Sequence, residues 1–390
     1  MATIAFNESQ RMRGIVACVA STTTVTVTLG ISYPILALIL ERQGVSPLLN
    51  GLSAAVQMVA VMVLAFVAPR LIRAFGVKWV VAGGMIGMAL SLALLPAFPN
   101  VWAWFPIRFV LGLSAELVFT AGDVWINQLA DDRRRGRLIG VASMFQHAGF
   151  GVGPLLLVAL GSDTWLALYI GIVIVLLGLA PLTLASGTAV TLHGDHRARI
   201  LHYFRLAPAL MTAGLMFGLM DSAAISLLPV YGLRMGLDEH MAELMLSIFV
   251  AGAILAQVPI GFLADRVEVR LLMASSTVIS IVSIGAMPFL ITHPIMIYPI
   301  LLVIGATLGS FYTIALTAMG RRFQSARLVG ATTSFMFLWA IGSVIGPAVS
   351  GGAMEVAGPN GMPVVAVVFG LIFLVVLLRR MASAPPEHVD

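Results

Sequence analysis

The chain has 390 residues, of which 60% are hydrophobic and only 10% are charged, and its mean hydropathy is +1.03. Soluble domains average about 25% charged residues, so this composition excludes a water-soluble globular protein. The net charge is +5, and its meaning depends on where the basic residues lie. A single cysteine, Cys18, excludes an internal disulfide and a cysteine-based metal cluster.

Apolar runs long enough to cross a membrane recur from end to end. A helix needs about 20 apolar residues to cross a hydrocarbon core about 30 Å thick. The runs predict twelve spans, at residues 14–40, 47–70, 79–97, 102–129, 137–160, 164–186, 207–234, 240–264, 270–291, 296–320, 328–354 and 362–380. Ser46 and Pro47 predict the start of the second span, and Asp238 predicts an N-cap for the eighth.

The basic residues alternate along these spans. All but three of the 22 lysines and arginines lie before the first span, in every second loop or after the last span, and the exceptions are Arg42, Arg108 and Arg234. This is the positive-inside pattern of membrane proteins. It predicts a multi-pass membrane protein with both termini in the cytoplasm, for which we expect an inner (plasma) membrane, and it gives no reason to expect a nucleic-acid partner.

The two halves of the chain repeat each other. Gly153-Pro154 recurs as Gly346-Pro347 at an offset of 193, and the glycine at residue 44 recurs at residue 236 at an offset of 192. We expect an N-terminal six-helix bundle at 1–186, a polar cytoplasmic linker at 187–206 and a C-terminal bundle at 207–390. Two such halves related by an axis along the membrane normal form a known transporter architecture, with the substrate near the midplane.

The loop after the eighth span carries a recognisable motif. GFLADRVEVR, which ends at Arg270, resembles the G-x-L-A-D-R-x-G-R-R loop of the major facilitator superfamily, with Glu268 in place of the late glycine. The resemblance implies a conformational latch at Asp265, Arg266 and Arg270. The first-half counterpart, PRLIRAFGVK, keeps Gly76 but has Arg73 where the family has an acid. Asp131 or Asp132 is then expected to pair with the first-half arginines.

Two further motifs agree with this family. RFVLGLSAE in the fourth span resembles the R-x-x-x-G-x-x-x-A pattern, whose arginine, here Arg108, is implicated in proton coupling. GFGVGP in the fifth span resembles the G-x-x-x-G-P motif of antiporters. The helix-packing residues it implies are Gly149, Gly153 and Pro154, with Gly342, Gly346 and Pro347 in the second half. The residues DVWIN, ending at Asn127, are similar to an acidic-x-W-x-N motif in a poorly characterised bacterial subgroup of the superfamily.

The fourth span carries one polar stripe. At about 100° per residue, its polar positions fall within roughly one 100° sector; they are Arg108, Gly112, Glu116, Thr120, Asp123 and Asn127. Charged side chains in hydrocarbon cost several kcal/mol, so they usually face a protein interior or a water-filled cavity. We therefore expect this stripe to face the inside of the bundle.

Titratable groups are spread through the depth of the membrane. At about 1.5 Å per residue, Glu116 lies roughly 12 Å deeper than Arg108, Asp123 lies roughly 10 Å deeper again, and Asp221 matches Glu116 in depth. His147 falls between the two acids of the fourth span. Because a low-dielectric environment disfavours a charged carboxylate, we expect this ladder to carry protons.

Each of these residues also has a structural interpretation. Glu116 could be neutralised by an arginine, Asp123 could pair with the basic loop below it, and His147 could be a hydrogen-bonded structural histidine. Arg108 could extend outward to the interface. The amides expected to line the cavity are Gln57, Gln146, Gln257 and Asn127, whereas the threonines between residues 22 and 28 are expected to hydrogen-bond to their own helix.

These features predict a secondary transporter that works by alternating access, without a cofactor or metal. The favoured function is proton-coupled antiport that exports an amphipathic or cationic compound, and the alternative is proton-coupled import of an anionic metabolite through Arg108. An intramembrane enzyme or a receptor is less favoured, because the chain has neither a G-x-S-x-G nor a G-x-x-x-x-G-K-[ST] motif. The expected partners are the substrate, protons and lipid, and we expect a monomer.

Overall fold

The computed structural model describes residues 8–98, 100–129, 135–162, 164–185, 203–204, 206–323 and 325–383. Within these ranges the chain is helical and contains no strand. Twelve helical segments are long and apolar enough to cross a membrane. The predicted all-α membrane fold with twelve spans is confirmed.

The helices run close to the predicted spans, and the first begins at Glu8 rather than at residue 14. Those up to the midpoint are α1 (Glu8–Arg42), α2 (Pro47–Phe75), α3 (Val77–Ala97), α4 (Val101–Leu129), α5 (Arg135–Leu160), α6 (Leu166–Leu177) and α7 (Ala180–Leu184). The rest are α8 (Pro208–Arg234), α9 (Glu239–Arg266), α10 (Val269–Leu290), α11 (Pro294–Arg322), α12 (Ser325–Ala357) and α13 (Gly361–Ser383).

The predicted helix starts are confirmed by their hydrogen bonds. Asp238 Oδ1 accepts from the backbone N–H of Met241 at 2.7 Å, which satisfies one of the free donors at the start of α9. The Ser46 hydroxyl accepts from the N–H of Leu49 at 3.4 Å, and α2 begins at Pro47. Gly76 alone joins α2 to α3, and its φ of +80° lies in the left-handed region that favours glycine.

The sixth span was predicted as one helix, but a turn at residues 178–179 separates α6 from α7. At this turn the Ser21 hydroxyl donates to the carbonyl of Gly178 at 3.2 Å. A Cβ added to Gly178 would lie only 2.1 Å from Thr24 Oγ1. The turn therefore lies directly against polar side chains of α1.

The chain divides into two compact units. The first comprises residues up to 40 together with 56–194, and the second comprises residues 41–55 together with those from 195 onward. The last two residues of α1 and the first nine of α2 thus belong to the second unit, unlike the rest of both helices. The predicted linker, 187–206, lies mostly outside the described residues, and the predicted domain boundaries stay a prediction.

Glycines bring helices of the first unit into backbone contact. A Cβ added to Gly153 of α5 would lie 2.5 Å from the backbone of Gly30 in α1, and one added to Gly149 would lie 2.5 Å from Thr26 Oγ1. Small residues permit this close packing where lipid supplies no hydrophobic drive between helices. The fifth-span motif therefore joins α5 to α1.

The second unit repeats this contact between α12 and α8. Cβ atoms added to Gly342 and Gly346 would lie 2.0 and 2.1 Å from the carbonyl oxygens of Leu215 and Leu219. Further along α12, a Cβ added to Gly351 would lie 2.2 Å from the carbonyl oxygen of Pro47 at the start of α2. The second-half motif thus has an additional partner, the segment 41–55 that joins this unit.

Candidate functional site

A buried polar cluster surrounds Arg108 in the first unit. Arg108 of α4 is only 1% exposed, and its Nε donates to Oε1 of Gln57 on α2 at 3.4 Å. Tyr33 of α1 interacts electrostatically with the same guanidinium. Arg108 therefore does not extend outward to the interface, and that alternative is wrong. Its neighbours hold it inside the bundle.

Gly112 explains how Gln57 reaches Arg108. A Cβ at residue 112 would lie 2.2 Å from the carbonyl oxygen of Gln57, so the backbone of α4 touches α2 one turn below Arg108. Only a residue without a side chain permits this approach. The arginine and the glycine of the fourth-span motif thus act together, since the glycine brings in the helix that carries the arginine's partner.

Glu116 lies further along α4 and is half-buried. Thr120 Oγ1, one turn away, donates to Glu116 Oε1 at 3.3 Å. No arginine, lysine or histidine pairs with this carboxylate within the described part of the chain. Arg108 and Glu116 share a stripe of α4 but are not brought together.

The lower part of the stripe has a different character. Asp123 is exposed, and its backbone carbonyl accepts from Asn127 Nδ2 at 2.8 Å. Cys18 of α1 donates to the carbonyl of Gly122 at 3.2 Å, so α4 packs on α1 at the residue next to Asp123. The residues predicted to pair with Asp123 include the arginines between 133 and 137, whose side chains lie outside the described residues.

The threonines of α1 are engaged within their own helix, as predicted. The hydroxyls donate to backbone carbonyls three or four residues earlier, at Thr22, Thr23, Thr24, Thr26 and Thr28. The Thr28 hydroxyl is also 3.0 Å from the carbonyl of Gly171 in α6. The threonine hydroxyls are therefore satisfied by backbone carbonyls, and Thr28 also links α1 to α6.

His147 and Gln146 are both half-buried on α5. Nδ1 of His147 lies 2.7 Å from the carbonyl oxygen of Ser143. Because a carbonyl oxygen only accepts, Nδ1 is the ring nitrogen that donates in this contact. The geometry suits both the structural role and the relay role.

In the second unit, Asp221 is half-buried on α8, and Gln257 is half-buried on α9. Among the described residues no hydrogen bond or ion pair involves the Asp221 carboxylate. The next residue, Ser222, donates to the carbonyl of Ser343 at 3.0 Å, so it anchors this turn of α8 to α12. The backbone next to Asp221 is thus held against α12, whereas no described residue holds its carboxylate.

The residues of the implied latch are only partly described. Arg73 and Arg266 are exposed, Arg270 is half-buried, and the side chain of Asp265 lies outside the described residues, as do Asp131 and Asp132. Beside this loop, Arg321 Nη2 donates to the carbonyl of Ala264 at 2.7 Å. An arginine at the end of α11 therefore caps the last turn of α9.

Sequence reasoning missed a group of charged residues at the C-terminal ends of α1 and α8 and at the start of α9. Arg42 forms an ion pair with Glu239 at 2.6 Å, and Arg234 forms one with Glu41 at 2.7 Å. Glu243, one turn below Glu239, is a further acid that is only 3% exposed. A signal was available, because Arg42 and Arg234 both break the alternation of basic residues.

No group of three or more His, Cys, Asp or Glu side chains in the described ranges could hold a metal ion. The described ranges form a twelve-span helical protein in which no cationic side chain pairs with Glu116 or Asp221, and glycine-mediated contacts recur in both halves. These features are the ones expected of a secondary transporter. A family model described as Major Facilitator Superfamily matches residues 18–239 and 210–390. The chain belongs to the Major Facilitator Superfamily.

Curated relatives agree with this assignment. The chain is 24% identical to the "Uncharacterized MFS-type transporter YfkF" of Bacillus subtilis (strain 168), over 92% of this chain and 93% of the relative. It is also 24% identical to the "Uncharacterized MFS-type transporter YcaD" of Escherichia fergusonii (strain ATCC 35469), over 80% of this chain and 79% of the relative.

Solved structures share the fold. A point mutant of the nucleoside transporter NupG matches with a TM-score of 0.77 at 13% identity, covering 95% of this chain and 99% of that one. A bacterial homologue of the human lysosomal transporter Spinster, inward-facing and occupied, matches with a TM-score of 0.75 at 14% identity, covering 97% and 98%. At these identities the likeness shows the fold alone.

Proposed function

We propose that this transporter exchanges protons for an amphipathic or cationic compound and exports that compound. Glu116 in the first unit and Asp221 in the second are the proposed proton carriers. The observation that carries the proposal is that no cationic side chain in the described ranges pairs with either carboxylate. A carboxylate within a membrane span is costly unless it is paired, protonated or hydrated, and proton exchange with a cationic substrate meets that requirement.

The placement of Arg108 supports the same proposal. Its guanidinium is engaged by Gln57 and Tyr33 rather than by Glu116. Glu116 is therefore left to bind either a proton or a cation, and the two compete for one site. Such competition is the simplest way to couple two opposed fluxes, because a ligand shifts a transporter only through its differential affinity for the two states.

The test uses everted membrane vesicles that contain the protein, with ethidium as the cationic probe. Respiration acidifies the vesicle interior, and we expect ethidium to accumulate inside. Nigericin, which collapses the pH gradient, should release the accumulated dye. If accumulation continues unchanged after nigericin, the proton-coupling part of the proposal is wrong.

A second candidate, proton-coupled import of an anionic metabolite, is favoured by one detail of the Arg108 cluster. Nε2 of Gln57 is buried and has no hydrogen-bond partner within the described residues. A guanidinium beside an unused amide donor is a suitable partner for a carboxylate or phosphate oxygen. A thermal-shift screen that includes organic anions, nucleosides and lipophilic cations separates the two candidates, because the class that binds should raise the unfolding temperature.

A further inference from the structure

Two arginines that break the charge alternation occupy equivalent positions in the repeat. Arg42 is the last residue of α1 and Arg234 is the last residue of α8, and they are separated by the same offset of 192 as Gly44 and Gly236. Both therefore lie at the membrane face opposite the start of their helices. Arginine is disfavoured at that face by the pattern of the other loops, so these two require a local explanation.

Each arginine is neutralised by an acid on another helix. Nε and Nη2 of Arg42 donate to the two carboxylate oxygens of Glu239, at 2.7 and 2.6 Å. Nε of Arg234 donates to Oε1 of Glu41 at 2.7 Å. Because Glu41 and Arg42 are adjacent, the end of α1 holds α8 through its acid and α9 through its base.

The exposure of these side chains indicates a reversible attachment. Arg42 and Glu239 are 28% and 36% exposed, and Arg234 and Glu41 are 31% and 15% exposed. Partly exposed ion pairs contribute little individually and are weakened by salt. Two such pairs can change the ratio of two conformations by roughly tenfold without locking the protein in either one.

Backbone packing beside these charges holds the start of α2 against α12. A Cβ added to Gly51 of α2 would lie 2.0 Å from the carbonyl oxygen of Pro347 in α12, and Gly351 meets Pro47 in the reciprocal contact. The equivalent positions of the first-half motif, Val158 and Ala159, are not glycine. The trailing glycines of the second half thus serve the approach of α2.

All of these contacts lie within the second unit, which includes residues 41–55. We propose that the pairs Arg42–Glu239 and Glu41–Arg234 form a charge clasp, which closes the membrane face opposite the chain termini and opens once in each transport cycle. Alternating access requires that each face open in turn. The proposal rests on the chain being a transporter, and it is independent of the coupling ion and the direction of transport.

The test measures the distance between spin labels at two exposed positions on this face, introduced as Gln43→Cys and Asn360→Cys. The background is Cys18→Ala, which removes the single native cysteine, and the protein is reconstituted in lipid nanodiscs.

We expect one short distance between the two labels in the parent. The double variant Arg42→Gln with Arg234→Gln should add a longer distance, with the open population raised roughly tenfold. Potassium chloride at about 1 M, where the Debye length is about 3 Å, should shift the parent in the same direction.

Two variants make the result specific. The swap of Arg42→Glu with Glu239→Arg restores an opposite-charge pair and should return the short distance, which also shows that the substituted protein folds. Glu355→Gln removes an exposed acid near the C-terminal end of α12, and it should leave the distances between the spin labels unchanged. An unaltered distribution in the double variant overturns the clasp, as does a swapped variant that stays as open as the double variant.

Discussion

At the scale of single residues, α4 separates two kinds of buried charge. Arg108 is 1% exposed and engaged by Gln57, whereas Glu116 is half-buried and has only the Thr120 hydroxyl as a hydrogen-bond partner in the described ranges. An arginine cannot be deprotonated in a protein, so it needs partners permanently. A carboxylate can gain and lose its proton, and that difference supports the proposal that Glu116 carries the proton.

Neutral isosteres at the proposed carriers should uncouple transport. Glu116→Gln and Asp221→Asn keep the size of each side chain but remove the exchangeable proton, so we expect each to abolish gradient-driven ethidium accumulation. The measurement is the vesicle assay described above, with expression and thermal stability checked in parallel. Glu355→Gln, the same change at an exposed acid, should retain full activity. Full accumulation in both carrier variants would remove these residues from the mechanism.

The Arg108 cluster makes a prediction about stability. Gln57→Leu removes the oxygen that accepts from the buried Nε of Arg108. We therefore expect the free energy of unfolding to fall by about 1–3 kcal/mol. Gln57→Glu keeps an acceptor at the same place and should retain most of the stability. Thermal unfolding in detergent measures both. Equal unfolding temperatures for Gln57→Leu and the parent would show that Gln57 does not support Arg108.

At the scale of helices, glycine decides which pairs pack closely. Gly153 meets the backbone of Gly30 between α5 and α1, and Gly346 meets the carbonyl of Leu219 between α12 and α8. These pairs occupy equivalent places in the two halves. The antiporter-like motif therefore has a concrete role in this chain, since it lets α5 and α12 lie against the first helix of their own half.

A methyl group at Gly153 should separate α5 from α1. Its Cβ would lie 2.5 Å from backbone atoms of Gly30, and backbone cannot move aside as a flexible side chain can. Overpacking of this kind costs about 1–3 kcal/mol, so Gly153→Ala should unfold at a lower temperature. Gly83→Ala is the matched control, because a Cβ there meets nothing within 4 Å. A loss as large in the control would mean that steric contact at residue 153 is not the cause.

At the scale of the whole molecule, the distribution of charge predicts the orientation in the membrane. Loops rich in arginine and lysine stay in the cytoplasm, so Gln43 should face outward and Glu268 should face inward. In intact cells, an impermeant maleimide should label Gln43→Cys but not Glu268→Cys, both in the Cys18→Ala background. Labelling of Glu268→Cys alone would reverse the orientation and place both termini outside.

The sequence by itself determined the class of this protein. Spans, helix starts and the repeat follow from local rules, since a run of about 20 apolar residues must cross the membrane as a helix and Asp238 caps α9 wherever that helix packs. The stripe of α4 could also be predicted, because helical geometry places its polar residues on one side. Axial spacing likewise indicated that Arg108 is a poor partner for Glu116.

Only the tertiary structure decided which side chains meet. Gln57 lies 51 residues from Arg108 in sequence, and Glu239 lies 197 residues from Arg42. The periodicity of one helix shows which of its side chains share a face, but not which side chain of another helix each one contacts. That pairing depends on the packing of several helices at once. The departures of Arg42 and Arg234 from the charge alternation were visible in the sequence, but the reason for them is a set of contacts that exists only when α1, α8 and α9 come together.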